Sequence, residues 1–314
     1  MKNQGKAAVF FLLPNFVGFL VFTLGPVLMA AGMSLYRYQL ASGEPSFIGM
    51  ANFANLVLFD EIDGEWVARD PYFWQYLGNT VFLMLNIPLS MAGSLLLAVL
   101  LNRELPGRIF FRTMFFIPHL CTGIAIFMVW KMVLTYEPNV GIINGLLWSV
   151  YGILGIEANQ AAEMLPGWLN EATWAKPALI IMFIWLSVGG YNMILYLAGL
   201  QNIPLELYEA AEMDGAGWWS QLIHITVPQL APTTFFILVT SVIGGLQGGF
   251  EAAYVMTGGG PEGSTTTMSY YIYTQAYEQL EVGYAAAISM VLFALIFVAT
   301  LVNWHYGGKR LEAV

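Results

Sequence analysis

Long apolar runs separated by short polar segments dominate the pattern of the sequence. A helix needs roughly 20 mainly apolar residues to cross a bilayer, and six runs reach that length. They lie near residues 7–36, 75–101, 110–134, 175–199, 229–250 and 284–306. The pattern therefore predicts an all-α integral membrane protein with six transmembrane helices, built as a single transmembrane domain over residues 1–314.

A seventh apolar stretch, residues 140–156, is shorter and is interrupted by four glycines and by Asn144. If this stretch crossed the membrane, every later segment would move to the opposite side. We expect instead an external helix at the membrane interface, or one that is partly buried.

The placement of lysine and arginine indicates the orientation. With six spans, seven cations share one side: Lys2, Lys6, Arg103, Arg108, Arg112, Lys309 and Arg310. Four lie on the other: Arg37, Arg69, Lys131 and Lys176. Because cytoplasmic loops carry the excess of lysine and arginine, both termini are expected inside. A seventh span would put Lys309 and Arg310 outside.

The outer segments are then residues 37–72, 135–174 and 251–283. Together with the outer ends of the spans, which include Lys131 and Lys176, they carry 14 acids against four cations, which gives −10 outside and +1 inside for the total of −9. We assign no site to 37–72, an acidic segment. Only 10% of all residues are charged, against about 25% in a soluble domain, which also favours a membrane protein.

The spans lack the features of a self-powered transporter or an enzyme. Their central parts hold almost no ionisable side chain, whereas proton-driven transporters usually need one within the membrane. A proton-coupled secondary transporter acting alone stays the alternative. The sequence contains no GxxxxGKS/T, HExxH or GxSxG motif, so neither phosphate-loop ATP binding nor a hydrolase site is predicted. Cys121 and three scattered histidines give no basis for a metal site.

Two glycine-rich breaks inside the spans, 189–192 and 244–251, combine amides with aromatic side chains. Such breaks occur in membranes where freed backbone groups face protein or a water-filled cavity, but close packing through small residues explains them equally well. A flat apolar face beside hydrogen-bonding groups suits a sugar. The candidate substrate-path residues are Tyr191, Asn192, Gln247, Phe250, Glu251 and Tyr254.

The cytoplasmic segment 203–228 predicts a short helix. Pro204 suits the first turn, and Glu206 and Glu209 lie where the helix dipole favours negative charge. Gly215 follows Asp214 where a left-handed residue ends a helix. A helix of about ten residues is marginal alone in water, so it must pack on something. It is either an ordinary loop helix or a docking helix for a cytoplasmic partner.

This segment resembles the EAA loop of permease subunits of ABC importers, and more narrowly those of the maltose and glycerol-phosphate type. The matching residues are Glu209-Ala210-Ala211, Asp214-Gly215-Ala216 and Ile225-Thr226-Val227-Pro228. Five further ordered stretches look family-like, between about Phe11 and Trp304: FIGMANFANL (47–56), FRTMFFIPHL (111–120), LAGLQNIPLELYEAA (197–211), YVMTGGGPEGSTTT (254–267) and YIYTQAY (271–277).

The resemblance implies a permease subunit in the plasma membrane of a bacterium or archaeon, importing a sugar or polyol. It implies four kinds of partner besides membrane lipid: a second homologous permease, two ATP-binding subunits, an extracytoplasmic solute-binding protein and the solute. ATP and Mg²⁺ would be bound by the ATPases, so no cofactor is expected in this chain, and no nucleic acid. The path residues above correspond in position to the sugar site of the maltose importer's permease.

The resemblance also implies roles for two loops. Glu209, Ala210, Ala211, Asp214 and Gly215 would dock on the ATPase and couple it to the spans. Gly258, Gly259, Gly260 and Pro261 would face the binding protein, although such residues also form turns without any function. One departure concerns charge, because family members often carry a cation soon after Asp-Gly-Ala and this chain has only His224 there.

Overall fold

A computed structural model of the chain describes residues 2–41, 43–104, 106–121 and 123–305. Within these ranges the chain is predominantly helical, as predicted, and its few strands pair in two short antiparallel hairpins.

The elements follow one another with short connections. The amino-terminal part contains α1 (Lys2–Phe19), α2 (Gly25–Met33), β1 (Tyr36–Arg37), β2 (Ser46–Phe47), α3 (Ala51–Val57), β3 (Phe59–Ile62), β4 (Glu65–Ala68), α4 (Pro71–Leu83) and α5 (Asn86–Asn102). The middle contains α6 (Arg108–Leu120), α7 (Gly123–Val133), α8 (Ile142–Ile153), α9 (Ala158–Met164), α10 (Ala172–Val188), α11 (Tyr191–Leu200), α12 (Leu205–Met213) and α13 (Trp218–Gln221). The remainder contains α14 (Val227–Gln229), α15 (Ala231–Gln247), α16 (Phe250–Ala252), α17 (Met268–Tyr273) and α18 (Val282–Asn303). Short π-helical turns occupy Leu20–Leu24, Leu222–Thr226, Ala253–Thr257 and Thr274–Glu278.

Several helices are long and apolar enough to cross a membrane. In the described part of the chain three do so without a sharp bend: Val9–Met33, Pro71–Asn102 and Val282–Asn303. Three bent pairs pass the same test: α6 with α7, α10 with α11, and Trp218–Gln229 with α15. Length and composition therefore allow three to six spans, and the six-span topology stays a prediction.

The chain divides into two compact units. The first comprises Met1–Trp74 and Tyr271–Leu295, and the second Gln75–Tyr270 and Ile296–Val314. In the first unit β1 pairs with β2, and β3 pairs with β4. The guanidinium of Arg69 binds the carboxylate of Asp60, with Nη2 2.8 Å from Oδ1, and closes the base of the β3–β4 hairpin.

Asp70 anchors the first unit. Its buried carboxylate accepts hydrogen bonds from the backbone N–H groups of Tyr72 (3.0 Å) and Phe73 (3.1 Å) at the start of α4. It also accepts the hydroxyls of Tyr271 (2.6 Å) and Tyr284 (2.5 Å). Burial, reinforced by the bond to Asp70, raises the pKa of Tyr271 above its ordinary value. One carboxylate thus satisfies four donors from three parts of the chain.

The second unit is organised around α5, which packs against α10, α11 and α15. Ser90, Ser94 and Ala98 recur every four residues on α5 and are buried. Small residues at this spacing let helix backbones approach closely, which favours association in lipid through van der Waals packing. The hydroxyl of Ser94 adds a 3.2 Å hydrogen bond to the backbone carbonyl of Ser187 on α10.

Two clusters of buried side chains complete this unit. The first joins α5, α11 and α15 through Ile87, Met91, Ala98, Leu101, Met193, Tyr196, Leu197, Leu200, Leu230 and Ile237. The second joins α7, α10 and the turn after α16 through Leu83, Phe127, Leu134, Ala178, Leu179, Met182, Ala252 and Met256.

Candidate functional site

A helix, α12, lies within 203–228, where the sequence predicts one. Pro204 occupies the N-cap, and Glu206 lies in the first turn. None of the helix residues is buried. Leu205 and Met213 are 67% and 89% exposed, and Glu206, Glu209 and Glu212 are exposed as well.

The end of α12 is fixed by backbone geometry. Gly215 is left-handed, with φ +78°. Its N–H donates to the carbonyl of Glu212 (3.0 Å), and the N–H of Ala216 donates to that of Ala211 (2.8 Å). This pair of bonds is the Schellman arrangement, in which glycine satisfies the last carbonyls of a helix. The chain therefore turns sharply after Asp214.

A side-chain hydrogen bond ties α12 to the return segment. The hydroxyl of Tyr208 lies 2.9 Å from the hydroxyl of Thr226, and Thr226 is buried. The remainder of the helix surface, with Glu209 and Ala210, faces outwards. The geometry thus gives a short, capped helix with an acidic and partly apolar free face.

A cation from another part of the chain contacts α13, which follows α12. The guanidinium of Arg103, just after α5, lies 5.5 Å from the ring centroid of Trp218. Trp218 and Trp219 contact each other edge to face, with centroids 4.4 Å apart. Sequence reasoning missed Arg103, because it precedes the Asp-Gly-Ala segment by more than 100 residues.

A cavity of about 240 Å³ lies within the second unit, and its lining combines polar groups with apolar side chains that include Leu83, Ile87 and Phe183. Its hydroxyl and amide groups come from Thr80, Asn86, Ser90, Ser187, Asn192, Ser241 and Thr267. Four glycines contribute to the wall: Gly244, Gly245, Gly248 and Gly249. No lining residue is charged. Such a lining presents many hydrogen-bonding groups to an uncharged solute.

The predicted path residues fall into two groups. Asn192 lines the cavity, whereas the other five lie elsewhere in the second unit. Phe250 and Tyr254 stack with centroids 5.7 Å apart, and Tyr254 is 49% exposed. Tyr191, Gln247 and Glu251 are exposed. The serine and threonine groups of the cavity were not predicted, because single hydroxyl residues are common in apolar helices.

The glycine-rich loop 257–261 is tightly bonded. Gly258 and Gly259 are both left-handed, with φ +61° and +83°. The hydroxyl of Thr266 donates to the carbonyl of Gly259 (3.1 Å), and that of Thr265 to Gly260 (2.8 Å). Of the four predicted contact residues, Gly258 is exposed, Gly259 is buried, and Gly260 and Pro261 are half-buried.

Buried amide and hydroxyl groups hold this loop against α4. The side-chain amide of Asn79 donates to the carbonyls of Gly263 (2.8 Å) and Thr266 (3.0 Å). The backbone N–H of Met268 donates to the hydroxyl of Thr80 (3.0 Å). In the sequence, the only sign that α4 holds this loop is a polar residue, Asn79, inside an apolar run.

Metal ligands do not gather in the described ranges: no group of three or more His, Cys, Asp or Glu side chains could hold an ion there.

Comparison with a family model, described as "Binding-protein-dependent transport system inner membrane component", gives a match over residues 90–307.

Individual relatives match almost the entire chain. The lactose transport system permease protein LacF of Rhizobium radiobacter is 35% identical, over 96% of this chain and 93% of its own. The arabinooligosaccharides transport system permease protein AraP of Bacillus subtilis (strain 168) is 32% identical, over 98% and 90%. Among solved structures, a bacterial ABC transporter involved in the import of the acidic polysaccharide alginate matches with a TM-score of 0.77 and 25% identity, over 98% of this chain and 96% of that one.

Proposed function

Because the chain belongs to the family of inner membrane components of binding-protein-dependent transport systems, we propose that it is the permease subunit of an ATP-driven importer for a sugar or related polyol. The family is one of membrane transport components, so the chain is a permease and not an enzyme. ATP hydrolysis is assigned to partner subunits.

Four kinds of partner complete the proposed importer. A second homologous permease shares the translocation path, two ATPases bind the cytoplasmic face, and an extracytoplasmic binding protein delivers the solute. The family description supports the binding protein. A second solved structure of an alginate transporter, in complex with an alginate pentasaccharide-bound periplasmic protein, shares the fold at 23% identity.

The observation that carries the proposal is the exposed, capped helix α12. Glu209, Ala210, Ala211, Asp214 and Gly215 are proposed to dock in a cleft of the ATPase. The small alanines permit close backbone approach, and the exposed acids can pair with basic groups. Arg103, held over Trp218, is proposed to supply the rim cation that is missing after Asp-Gly-Ala.

The link from this helix to the spans is short. The Schellman end at Gly215 fixes the direction of the return segment, and Tyr208 is bonded to Thr226 just before α14. We propose that closure of the ATPases moves α12 and the return segment together, which shifts α15. Alternating access then requires only that ATP and the loaded binding protein stabilise the two states differently.

The solute is proposed to be a neutral sugar or polyol. The cavity beside Asn192 has hydroxyl and amide groups and an uncharged lining, and about 240 Å³ is below the usual range of drug-sized pockets of about 300–1,000 Å³. It therefore suits a single sugar ring. Gln247, Glu251, Tyr191 and the stacked Phe250–Tyr254 pair are proposed to line the path beyond it.

Co-purification with the ATPase tests the docking role. Wild-type chain is expected to retain the ATPase, and the double variant Glu209→Arg with Gly215→Pro is expected to lose it. The matched control is Glu163→Arg, which reverses an exposed charge on α9, in the predicted outer segment, and should retain the ATPase. Equal retention by all three proteins would remove α12 from the coupling role.

A further inference from the structure

A second cavity, of about 380 Å³, lies between α6 and α11. One part of its lining is polar, with Arg112, Thr113 and Gln201. The other part is an apolar wall that includes Phe116, Ile194 and Leu197. It shares no lining residue with the cavity beside Asn192.

Arg112 has an incompletely used guanidinium. Its Nη2 donates to the backbone carbonyl of Leu101 at 2.8 Å. Its Nε is buried and has no hydrogen-bond partner in the described part of the chain. A buried, unpaired N–H of a charged group costs free energy, and the guanidinium fork is suited to phosphate oxygens. Nε itself is enclosed by protein, so an anionic ligand in the cavity would bind through the Nη groups of Arg112, which lines the cavity.

The predicted topology places the cavity at the cytoplasmic membrane surface. Arg112 lies near the start of the third predicted span, and Gln201 follows the end of the fourth. Arg103 and Arg108 belong to the same inner side. Anionic lipids are concentrated in the cytoplasmic leaflet and attract basic residues at this depth.

We propose that an anionic phospholipid of the cytoplasmic leaflet binds in this cavity, with its phosphate on Arg112 and an acyl chain along the apolar wall. Thr113 and Gln201 flank the headgroup. The combination of guanidinium and apolar wall selects a lipid over a soluble anion, which would leave Phe116, Ile194 and Leu197 uncovered. The lipid would fill the space between α6 and α11 and hold these helices together.

Lipid binding to the chain, purified with its partner subunits in detergent, tests this proposal. Native mass spectrometry gives the affinity for phosphatidylglycerol, with phosphatidylcholine and inorganic phosphate as comparison probes. Arg112→Gln is expected to weaken phosphatidylglycerol binding about tenfold, since a charge-assisted bond is lost. Arg108→Gln removes the same charge from an exposed position on the same helix and should change the affinity much less.

A second variant covers the case in which Arg112→Gln fails to fold, since that change also removes the bond to Leu101. Ala198→Phe fills part of the cavity and leaves the guanidinium in place, and it too should weaken phosphatidylglycerol binding. Three results overturn the proposal: equal losses in Arg112→Gln and Arg108→Gln, equal binding of phosphatidylcholine, or full competition by inorganic phosphate. Binding unaffected by Ala198→Phe would locate the lipid elsewhere. The readout does not involve transport, so its failure leaves the importer assignment untouched.

Discussion

At the scale of single residues, Gly215 shows how one position defines an element. Its φ of +78° lies in a region that costs other L-residues about 1–2 kcal/mol. No atom lies within 4 Å of the place where a Cβ would be, so the requirement for glycine is conformational and not steric.

Gly215→Ala should therefore destabilise the end of α12 by about 1 kcal/mol. The affinity for the ATPase should fall about fivefold. Gly217→Ala is the matched control, because Gly217 also has open space but an ordinary φ of −72°. ATPase binding by titration of the purified subunits measures both. Equal effects of the two variants would contradict the conformational account.

Asp70 and Tyr271 form the second residue-scale feature. The carboxylate is buried, and its bond to the Tyr271 hydroxyl is charge-assisted. Bonds to charged groups contribute about 1.5–3 kcal/mol.

Tyr271→Phe should lower the apparent melting temperature at neutral pH, because Asp70 loses one of its donors. The raised pKa of Tyr271 means that the folded chain holds this proton more tightly than the unfolded chain, in which the tyrosine pKa is about 10. The stabilisation is present below about pH 10 and is lost as pH rises towards the folded-state pKa. As pH rises above about 10, the stability of the variant should therefore fall less than that of wild type. Tyr277→Phe, at a 71% exposed position, should behave as wild type in thermal melts.

At the scale of elements, the sequence predicted what depends on local pattern. The helical class follows from the apolar runs, and the bounds of α12 follow from Pro204, the acids and Gly215. Partners that lie far apart in sequence could not be paired from local pattern: Arg103 with Trp218, Asn79 with the loop after Gly258, and Tyr271 with Asp70. The bends inside α10–α11 coincide with the glycine break at 189–192, but composition does not give their size.

The loop 257–268 is the element that sequence described least well. Gly-Gly-Pro predicts a turn without indicating how firmly it is held. Thr265, Thr266 and Asn79 bond its backbone from within the protein. If this loop meets the binding protein, it does so as a preformed surface.

Gly259→Ala should disturb this loop more than Gly258→Ala. Both glycines are left-handed, so each change costs about 1–2 kcal/mol. A Cβ at Gly259 would also lie 2.5 Å from the Thr266 hydroxyl, whereas one at Gly258 meets no atom within 4 Å. Thermal stability of the purified transporter reports the difference. A larger loss for Gly258→Ala would show that the loop is held in another way.

At the scale of the whole molecule, charge asymmetry is the basis of the predicted orientation. The outer segments 37–72, 135–174 and 251–283, taken with the outer span ends that carry Lys131 and Lys176, have a net charge of −10, and the inner side has +1. Labelling with a membrane-impermeant maleimide in intact cells tests this orientation. Single cysteines are introduced into the Cys121→Ser variant, which has no other cysteine. We expect labelling of Glu61→Cys and Ser149→Cys, and none of Glu206→Cys until the membrane is permeabilised.

The Glu206 position makes this experiment decisive for the span count. If 140–156 crossed the membrane, residues beyond it would change sides, and Glu206→Cys would be labelled in intact cells. That outcome would contradict both the six-span topology and the cytoplasmic position of α12.

The central claim is that this chain carries solute only as part of an ATP-driven, binding-protein-dependent assembly. Uptake into proteoliposomes tests it most directly, with the complete transporter compared with this chain alone and a radiolabelled monosaccharide or polyol that the binding protein retains as the solute. The account predicts uptake only when the full assembly has ATP on the ATPase side and loaded binding protein on the other. Uptake by this chain alone, driven by a pH gradient without ATP, would contradict it and establish a secondary transporter.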